Sequence, residues 1–255
     1  MLVDETHTIS RTNIAIIIPA LNEEDALPPL LAEIPPEFAS RVIVVDNGST
    51  DATAAVAQVA GATVVSEPRR GYGRACLTGL ETVAQLGVDI VIYMDGDGSD
   101  DPADLPLVLA PLLTHRADLV IGSRTGPRAE PGAVPVQARL GNWLVSSILR
   151  MRYGVPLHDI GSFRAIRVAD LLALDMSEMT FGWPVEMVVK AARARYHISE
   201  QSIHYRRRSH GRSKVAGTIG GSVKAAYFML RVTFRYVLSA PIKRALPVAR
   251  RTPIS

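Results

Sequence analysis

Tyr93-Met94-Asp95-Gly96-Asp97-Gly98-Ser99-Asp100-Asp101-Pro102 is the stretch on which the fold turns. It continues the apolar, β-branched run 90–93 (IVIY), which reads as a buried strand, and it places four aspartates within seven residues at that strand's end. Carboxylates packed this tightly repel one another unless a cation offsets them. A hard divalent ion suits such a set, because Mg²⁺ takes one or two carboxylates and completes its shell with phosphate oxygens and water. The plainer alternative is a solvated acidic turn in which Asp100 or Asp101 caps a following helix. A helix-loop-helix calcium loop is excluded, since no Glu stands at the twelfth position from Asp95 or Asp97.

Two more loops stand in the same relation to a strand. The run 14–18 (IAIII) leads into Pro19-Ala20-Leu21-Asn22-Glu23-Glu24, and 42–45 (VIVV) into Asp46-Asn47-Gly48-Ser49-Thr50-Asp51. Uninterrupted apolar strands are buried on both faces, as in a parallel sheet covered by helices. Helical patterns alternate with them. One runs over 23–34 and stops at Pro35-Pro36, and one runs from a Ser49 or Thr50 cap to about residue 60. Two more cover 74–86 and the stretch from Pro102 to about 113. Short strands fall at 63–65 and 119–121. The order predicts an open α/β fold whose ligands bind beyond the C-terminal strand ends. Past Ser123 the pattern loosens: a Gly/Pro-rich loop at 125–135, helices at 136–150, 184–194 and 223–238, strands at 163–167 and 198–205, and a basic loop at 206–221.

The 255 residues carry a net charge of +3, with 47% apolar and 21% charged residues, which is an ordinary globular composition. The small net charge hides an asymmetry. Residues 201–255 hold twelve of the 28 cations and no acid, which leaves 16 cations against all 25 acids in residues 1–200, a net of −9. A basic tail of this kind meets phosphate, nucleic acid or lipid head groups. The single cysteine, Cys76, cannot form an intrachain disulfide and suits a reducing compartment. The N-terminus is polar and acidic, unlike a secretory signal, and no run approaches the ~20 apolar residues of a spanning helix. These features predict a cytoplasmic protein, soluble or peripheral at the inner face of the membrane.

Taken in order, the loops resemble those of family-2 glycosyltransferases of the GT-A fold. Pro19-Ala20-Leu21-Asn22-Glu23-Glu24 is similar to that family's opening motif, Val44-Val45-Asp46-Asn47-Gly48-Ser49-Thr50-Asp51 to its nucleoside-binding loop, and Asp95-Gly96-Asp97 to its metal-binding Asp-x-Asp segment. Ile121-Gly122-Ser123-Arg124 resembles its arginine-bearing strand end. Asp159-Ile160-Gly161-Ser162-Phe163-Arg164 and Arg208-Ser209-His210-Gly211-Arg212-Ser213-Lys214 resemble the polyprenol-phosphate sugar transferase branch.

The resemblance implies a mostly parallel central sheet flanked by helices, a catalytic domain over 1–215, and a basic amphipathic C-terminal helix and tail over 216–255. It implies metal-dependent, inverting transfer of a sugar from a nucleoside-diphosphate sugar, with Mg²⁺ or Mn²⁺ as cofactor and a polyprenyl phosphate as the favoured acceptor. Pro19, Leu21 and Glu23 would line the nucleotide site and Asp46 would contact the base. Asp95 and Gly96 would border the diphosphate, and Asp95, Asp97 and Ser99 would stand at the metal. Arg124, Arg208 and Lys214 would face phosphates. Cations there stabilise the charge that grows on the departing diphosphate. A phosphate acceptor is already ionised, whereas a soluble or lipid hydroxyl acceptor needs a carboxylate base, for which Asp159 and Glu186 are candidates. Leu21 stands where many relatives carry an aromatic residue, which implies weaker base stacking. Asn47 stands where many carry Asp.

Other classes fit less well. A sugar-1-phosphate nucleotidyltransferase needs a Gly-rich, Lys-bearing loop after the first strand, where this chain has Pro19-Ala20-Leu21-Asn22-Glu23-Glu24. A non-catalytic sugar-nucleotide-binding module is a further alternative. Gly71-Tyr72-Gly73 is no dinucleotide fingerprint, since position 76 is Cys and the motif follows the third strand. Nucleic acid is disfavoured by acidic site loops and only 5% aromatic residues. At about 100° per residue, Lys224, Arg231 and Arg235 form one stripe on a helix that is otherwise largely apolar. That pattern suits an anionic membrane interface, or a helix capping the domain with a solvated basic face.

Overall fold

The computed structural model describes residues 13–39, 41–208 and 219–238, the last with side chains from 227 on. The strands are β1 (Ile14–Ala20), β2 (Val42–Asp46), β3 (Thr63–Ser66), β4 (Ile90–Tyr93), β5 (Leu119–Ser123), β6 (Arg164–Arg167) and β7 (Ile198–Ser202). They form one sheet in the order β3-β2-β1-β4-β6-β5-β7. The pairs β1–β2, β1–β4, β2–β3 and β5–β7 are parallel. β6 runs antiparallel to both of its neighbours, with Tyr93 opposite Arg164 and Ile121 opposite Arg164 on the two sides.

The helices are α1 (Leu27–Glu33), α2 (Pro36–Ala39), α3 (Thr53–Val59), α4 (Tyr72–Gln85), α5 (Leu105–Leu113), α6 (Val136–Tyr153), α7 (Val168–Ala173), α8 (Trp183–Arg193) and α9 (Ile219–Leu238). The β-branched strands separate two cores. Ile17, Ile43, Val91 and Ile121 face Leu80, Leu149 and Trp183 on one side. Ile16, Ile18, Val44 and Ile92 face Leu30, Leu105 and Leu109 on the other. This two-sided burial is what the unbroken apolar runs require. α9 does not stand apart: it packs on α6 and α8, buries Val232, and receives a hydrogen bond from Tyr153 Oη at the Tyr236 carbonyl (3.1 Å).

Several boundaries differ from the sequence expectation. The first helix begins at Leu27, not at residue 23, because the backbone N–H groups of Asn22, Glu23 and Glu24 donate to Ser49, Thr53 and Asp51 side chains of the next loop. Ser49 and Thr50 do not cap α3. Ser49 Oγ accepts from Asn22, and the helix opens at Thr53, whose N–H donates to Asp51 Oδ1 (3.0 Å). Pro36 does not simply terminate a helix but opens the short α2. β7 ends at Ser202, and Tyr205 makes isolated bridges with Asp100 and Ala129.

Candidate active site

β1, β2, β4, β5 and β7 point the same way, so their C-terminal ends share one edge of the sheet. β6 is reversed, which brings the segment preceding it, 159–163, to that same edge. Loops distant in sequence therefore meet there.

The first two loops are laced together. Thr50 N–H donates to Asn22 Oδ1 (2.8 Å) and Ala52 N–H to Glu24 Oε2 (2.8 Å). Asp46 Oδ1 accepts from Ser49 N–H (3.0 Å), which fixes the carboxylate at the strand end with the side chain part-exposed. Pro19, Leu21 and Glu23 are likewise part-exposed on the neighbouring loop. Gly96 packs against β1 and α1: a Cβ there would come within 3.2 Å of Ile18 Cγ2 and 3.4 Å of Leu27 Cδ2. Asn47 is buried, donating from Nδ2 to the Glu67 (3.0 Å) and Arg69 (2.9 Å) carbonyls and accepting from Gly71 N–H at Oδ1 (2.8 Å). An aspartate could not make the two donated bonds, so the departure at Asn47 has a local structural reason.

The third loop holds the acidic cluster. Asp95 accepts from Ser162 Oγ (2.6 Å) and Tyr72 Oη (3.3 Å). Asp97 Oδ1 accepts from the N–H of buried Ser99 (2.9 Å), and its Oδ2 pairs with Arg208. Asp100 accepts from Asp95 N–H at Oδ2 (3.2 Å), while its buried Oδ1 has no hydrogen-bond partner. Burial and the neighbouring Asp97 charge push the Asp95 carboxyl above its usual range. Burial, Asp95 and Asp97 push Asp100 higher still. Asp101 is the residue that caps the following turn, accepting from Ala103 N–H (3.0 Å), and it also pairs with Arg206 (2.7 Å).

Cations surround the cluster. Arg124 is held by Asp159, whose Oδ2 accepts from both its backbone N–H (2.9 Å) and its Nε (2.8 Å), while Oδ1 accepts from Nη2 (2.9 Å). The Arg124 guanidinium lies 5.5 Å from the centre of the Tyr205 ring. Asp159 also accepts from Asn142 Nδ2 (2.6 Å) and Ile160 N–H (2.8 Å). Burial would raise this carboxyl, but the Arg124 charge and these bonds override it and hold it low. Arg208 reaches Asp97 from beyond β7. Lys214 lies outside the described residues.

Glu186 stands apart from the acidic loops. It is fully buried in α8, accepting from Ser177 N–H and Oγ, Glu178 N–H and Tyr236 Oη, with Lys190 Nζ 3.2 Å away. Burial raises its carboxyl, but the bond from Tyr236 and those from Glu178 and Ser177 lower it more. The structure thus gives Asp159 and Glu186 full sets of internal partners.

Sequence reading assigned no role to Tyr72, Asn142, Ser162 or Tyr205, and read Asp100 only as one of four crowded aspartates or a helix cap, whereas Asp101 makes the cap. Ser162 lay inside a quoted motif, but its aim at Asp95 depends on the reversed β6. Tyr72 reaches Asp95 only because α4 packs across β1, and nothing local signals that contact.

The donor set fits a hard divalent ion. Among the described residues no three His, Cys, Asp or Glu side chains converge as a protein cage. A Mg²⁺-type ion needs none, since it takes one or two carboxylates and leaves the remaining positions to phosphate and water. Asp95 and Asp97 supply that number, and the unpartnered Asp100 oxygen adds negative potential beside them.

This sheet order, with its ring of strand-end loops, defines a GT-A glycosyltransferase fold. The family model for glycosyl transferase family 2 matches residues 15–173, and the chain belongs to that family. It is 43% identical over 213 residues to an uncharacterized glycosyltransferase of Mycobacterium tuberculosis, covering 83% of this chain and 94% of that protein. It is 34% identical over 218 residues to an undecaprenyl-phosphate mannosyltransferase of Micrococcus luteus, covering 80% and 88% of the two chains. The solved structure of M. tuberculosis glucosyl-3-phosphoglycerate synthase superposes with a TM-score of 0.73 at 22% identity, covering 93% of this chain and 84% of the other. Relatives of this kind support the polyprenol-phosphate sugar transferase branch, and the chain is a transferase.

Proposed function

We propose that this enzyme transfers a sugar, with inversion, from a nucleoside-diphosphate sugar to a polyprenyl phosphate. Asp95 and Asp97, with Ser99 ordering the loop, would hold Mg²⁺ or Mn²⁺, which offsets charge on the diphosphate when bound. Pro19, Leu21, Glu23 and Asp46 would hold the nucleoside, and Asp95 and Gly96 would border the diphosphate. Arg124, fixed by Asp159, presents a positive charge to a phosphate. Arg208 is placed to exchange its contact with Asp97 for a phosphate oxygen, and Lys214 would add a further cation. Residues 1–215 would carry this chemistry, while the basic helix and tail in 216–255 would meet an anionic membrane surface at the cytoplasmic face. Among the described residues no helix is long and apolar enough to cross a membrane.

One observation carries the choice of acceptor. The two candidate bases, Asp159 and Glu186, are both buried and held low by internal partners. A base must be free to accept a proton within hydrogen-bond reach of the reacting group. A phosphate acceptor is ionised already and needs no such base. The 34%-identical undecaprenyl-phosphate mannosyltransferase supports the same choice.

The test incubates the protein with labelled nucleotide sugars, Mn²⁺ or Mg²⁺, and either polyprenyl phosphate or polyprenol. Label in the polyprenyl-phosphate product, with nucleoside diphosphate released, is the expected result. Transfer to polyprenol or a soluble alcohol instead would overturn the acceptor assignment, and pyrophosphate release would point to a nucleotidyltransferase.

A further inference from the structure

α6 buries one face and leaves the other, apolar, in solvent. Its inner face carries Asn142, Val145, Ser146 and Leu149. Val136, Leu140, Trp143, Leu144 and Met151 are exposed, Trp143 by 62% and Met151 by 81%. At 3.6 residues per turn these five fall within about 100° of the helix circumference, with Arg139 and Arg150 along one edge of the stripe. α9, packed beside α6, repeats the pattern: Tyr227, Phe234 and Leu238 are exposed in one stripe, with Arg231 and Arg235 along its edge. Neither helix contains an Asp or Glu.

A stable water-facing helix places its polar residues outward, so an outward apolar stripe marks a surface that meets something apolar. Two neighbouring stripes edged by Arg139 and Arg150 on α6 and by Arg235 and the Glu178-paired Arg231 (3.3 Å) on α9 match the two layers of a bilayer interface. The acyl boundary takes the apolar side chains, Trp favours the interface, and arginines reach the anionic head groups.

We propose that α6 is a bilayer-docking element in its own right, with Trp143 as its anchor, and that α6 and α9 together seat the enzyme on an anionic lipid surface. This extends the peripheral contact proposed above for the C-terminal helix and rests on that reading. It also gives docking a route to the site. The inner face of α6 touches the segment that holds Arg124, through Asn142 Nδ2 to Asp159 Oδ1 (2.6 Å) and Ser146 Oγ to the His158 carbonyl (3.3 Å). The lipid-facing stripe and the phosphate-facing arginine therefore lie on opposite sides of one helix, a placement that suits an acceptor whose phosphate rises from the membrane.

The experiment uses the full chain and vesicles of phosphatidylcholine alone or with equimolar phosphatidylglycerol. The chain has two tryptophans, and Trp183 is buried, so Trp143 reports on docking. Expected are co-sedimentation with the anionic vesicles, a blue shift of emission that Trp143→Phe removes, and at least a tenfold loss of binding in Leu140→Glu/Trp143→Glu with the circular dichroism spectrum unchanged. Tyr227→Glu/Phe234→Glu is the companion variant. If it abolishes binding while the α6 variant binds like wild type, the α6 proposal fails and the α9 reading stands. If the wild-type chain binds no vesicles, both fail. If the chain is a dimer in solution that the α6 substitutions dissociate, a second copy covers this face and the proposal is overturned.

Discussion

Two sets of carboxylates, Asp159 with Glu186 and the cluster after β4, are built to opposite rules. Asp159 and Glu186 are saturated: the first has Arg124, Asn142 and Ile160, the second Ser177, Glu178, Tyr236 and Lys190. Asp95, Asp97 and Asp100 crowd one another instead, and one Asp100 oxygen is unpartnered. The sequence shows Asp or Glu in both places. The difference is that scaffolding acids are neutralised within the fold, while the cluster is left with negative potential that an external cation can relieve. Unrelieved local conflict of this kind collects at functional sites.

The largest expected break in this comparison comes from Asp97→Asn. Transfer should fall on the order of 10³-fold, the scale for losing a key stabiliser of developing charge. The thermal midpoint should change little, because loss of the Arg208 pair is offset by relief of the repulsion Asp97 exerts on Asp95 and Asp100. A variant that loses stability in step with activity would place Asp97 among the scaffolding acids.

Asp159→Ala should do the reverse. It leaves the largely buried Arg124 guanidinium without its partner, and breaking a buried pair costs about 3–5 kcal/mol. Urea denaturation should show that loss, with residual transfer impaired through the displaced Arg124.

Glu186→Gln should cost about 1–3 kcal/mol, since a network built around an acceptor-only carboxylate receives an amide. Its pH signature sharpens the contrast. A carboxyl whose folded pKa is lowered contributes stability that is present above its unfolded value of 4.5 and is lost as pH falls through the folded value. The wild-type advantage over Glu186→Gln should therefore shrink on acidification.

The smallest effect belongs to Asp100→Asn. Here burial and the Asp95 and Asp97 charges raise the folded pKa above 3.8, so in metal-free protein ionisation of Asp100 opposes folding, and that penalty shrinks as pH falls from the folded value toward the unfolded one. The variant should be modestly more stable than wild type at high pH, because it cannot take on that charge. That gain should vanish on acidification, opposite in sense to Glu186→Gln. Denaturant midpoints measured across pH for both variants check this.

Much of the first half of the site was legible in the sequence. Unbroken β-branched runs ending in Pro19, Asp46 and Asp95 located three strand-end loops, because strand burial and turn chemistry are local properties. The helix starts were misplaced where tertiary bonds took the backbone donors, as Ser49 and Thr53 do at Asn22 and Glu23. The second half was less legible. The motif 159–164 could be quoted, but neither the reversed β6 nor the Asp159–Arg124 pair across 35 residues follows from local pattern.

By itself the sequence determined the alternation of buried strands and helices, the acidic loop after the fourth strand, and the split between an acidic body and a basic tail. Periodicity, chain breakers and charge are written residue by residue. Tertiary structure alone decided which acids stay crowded and which are neutralised, and that α6 turns an apolar stripe outward. Those outcomes depend on partners brought together by strand order and helix packing, and a carboxylate's role is set by what faces it.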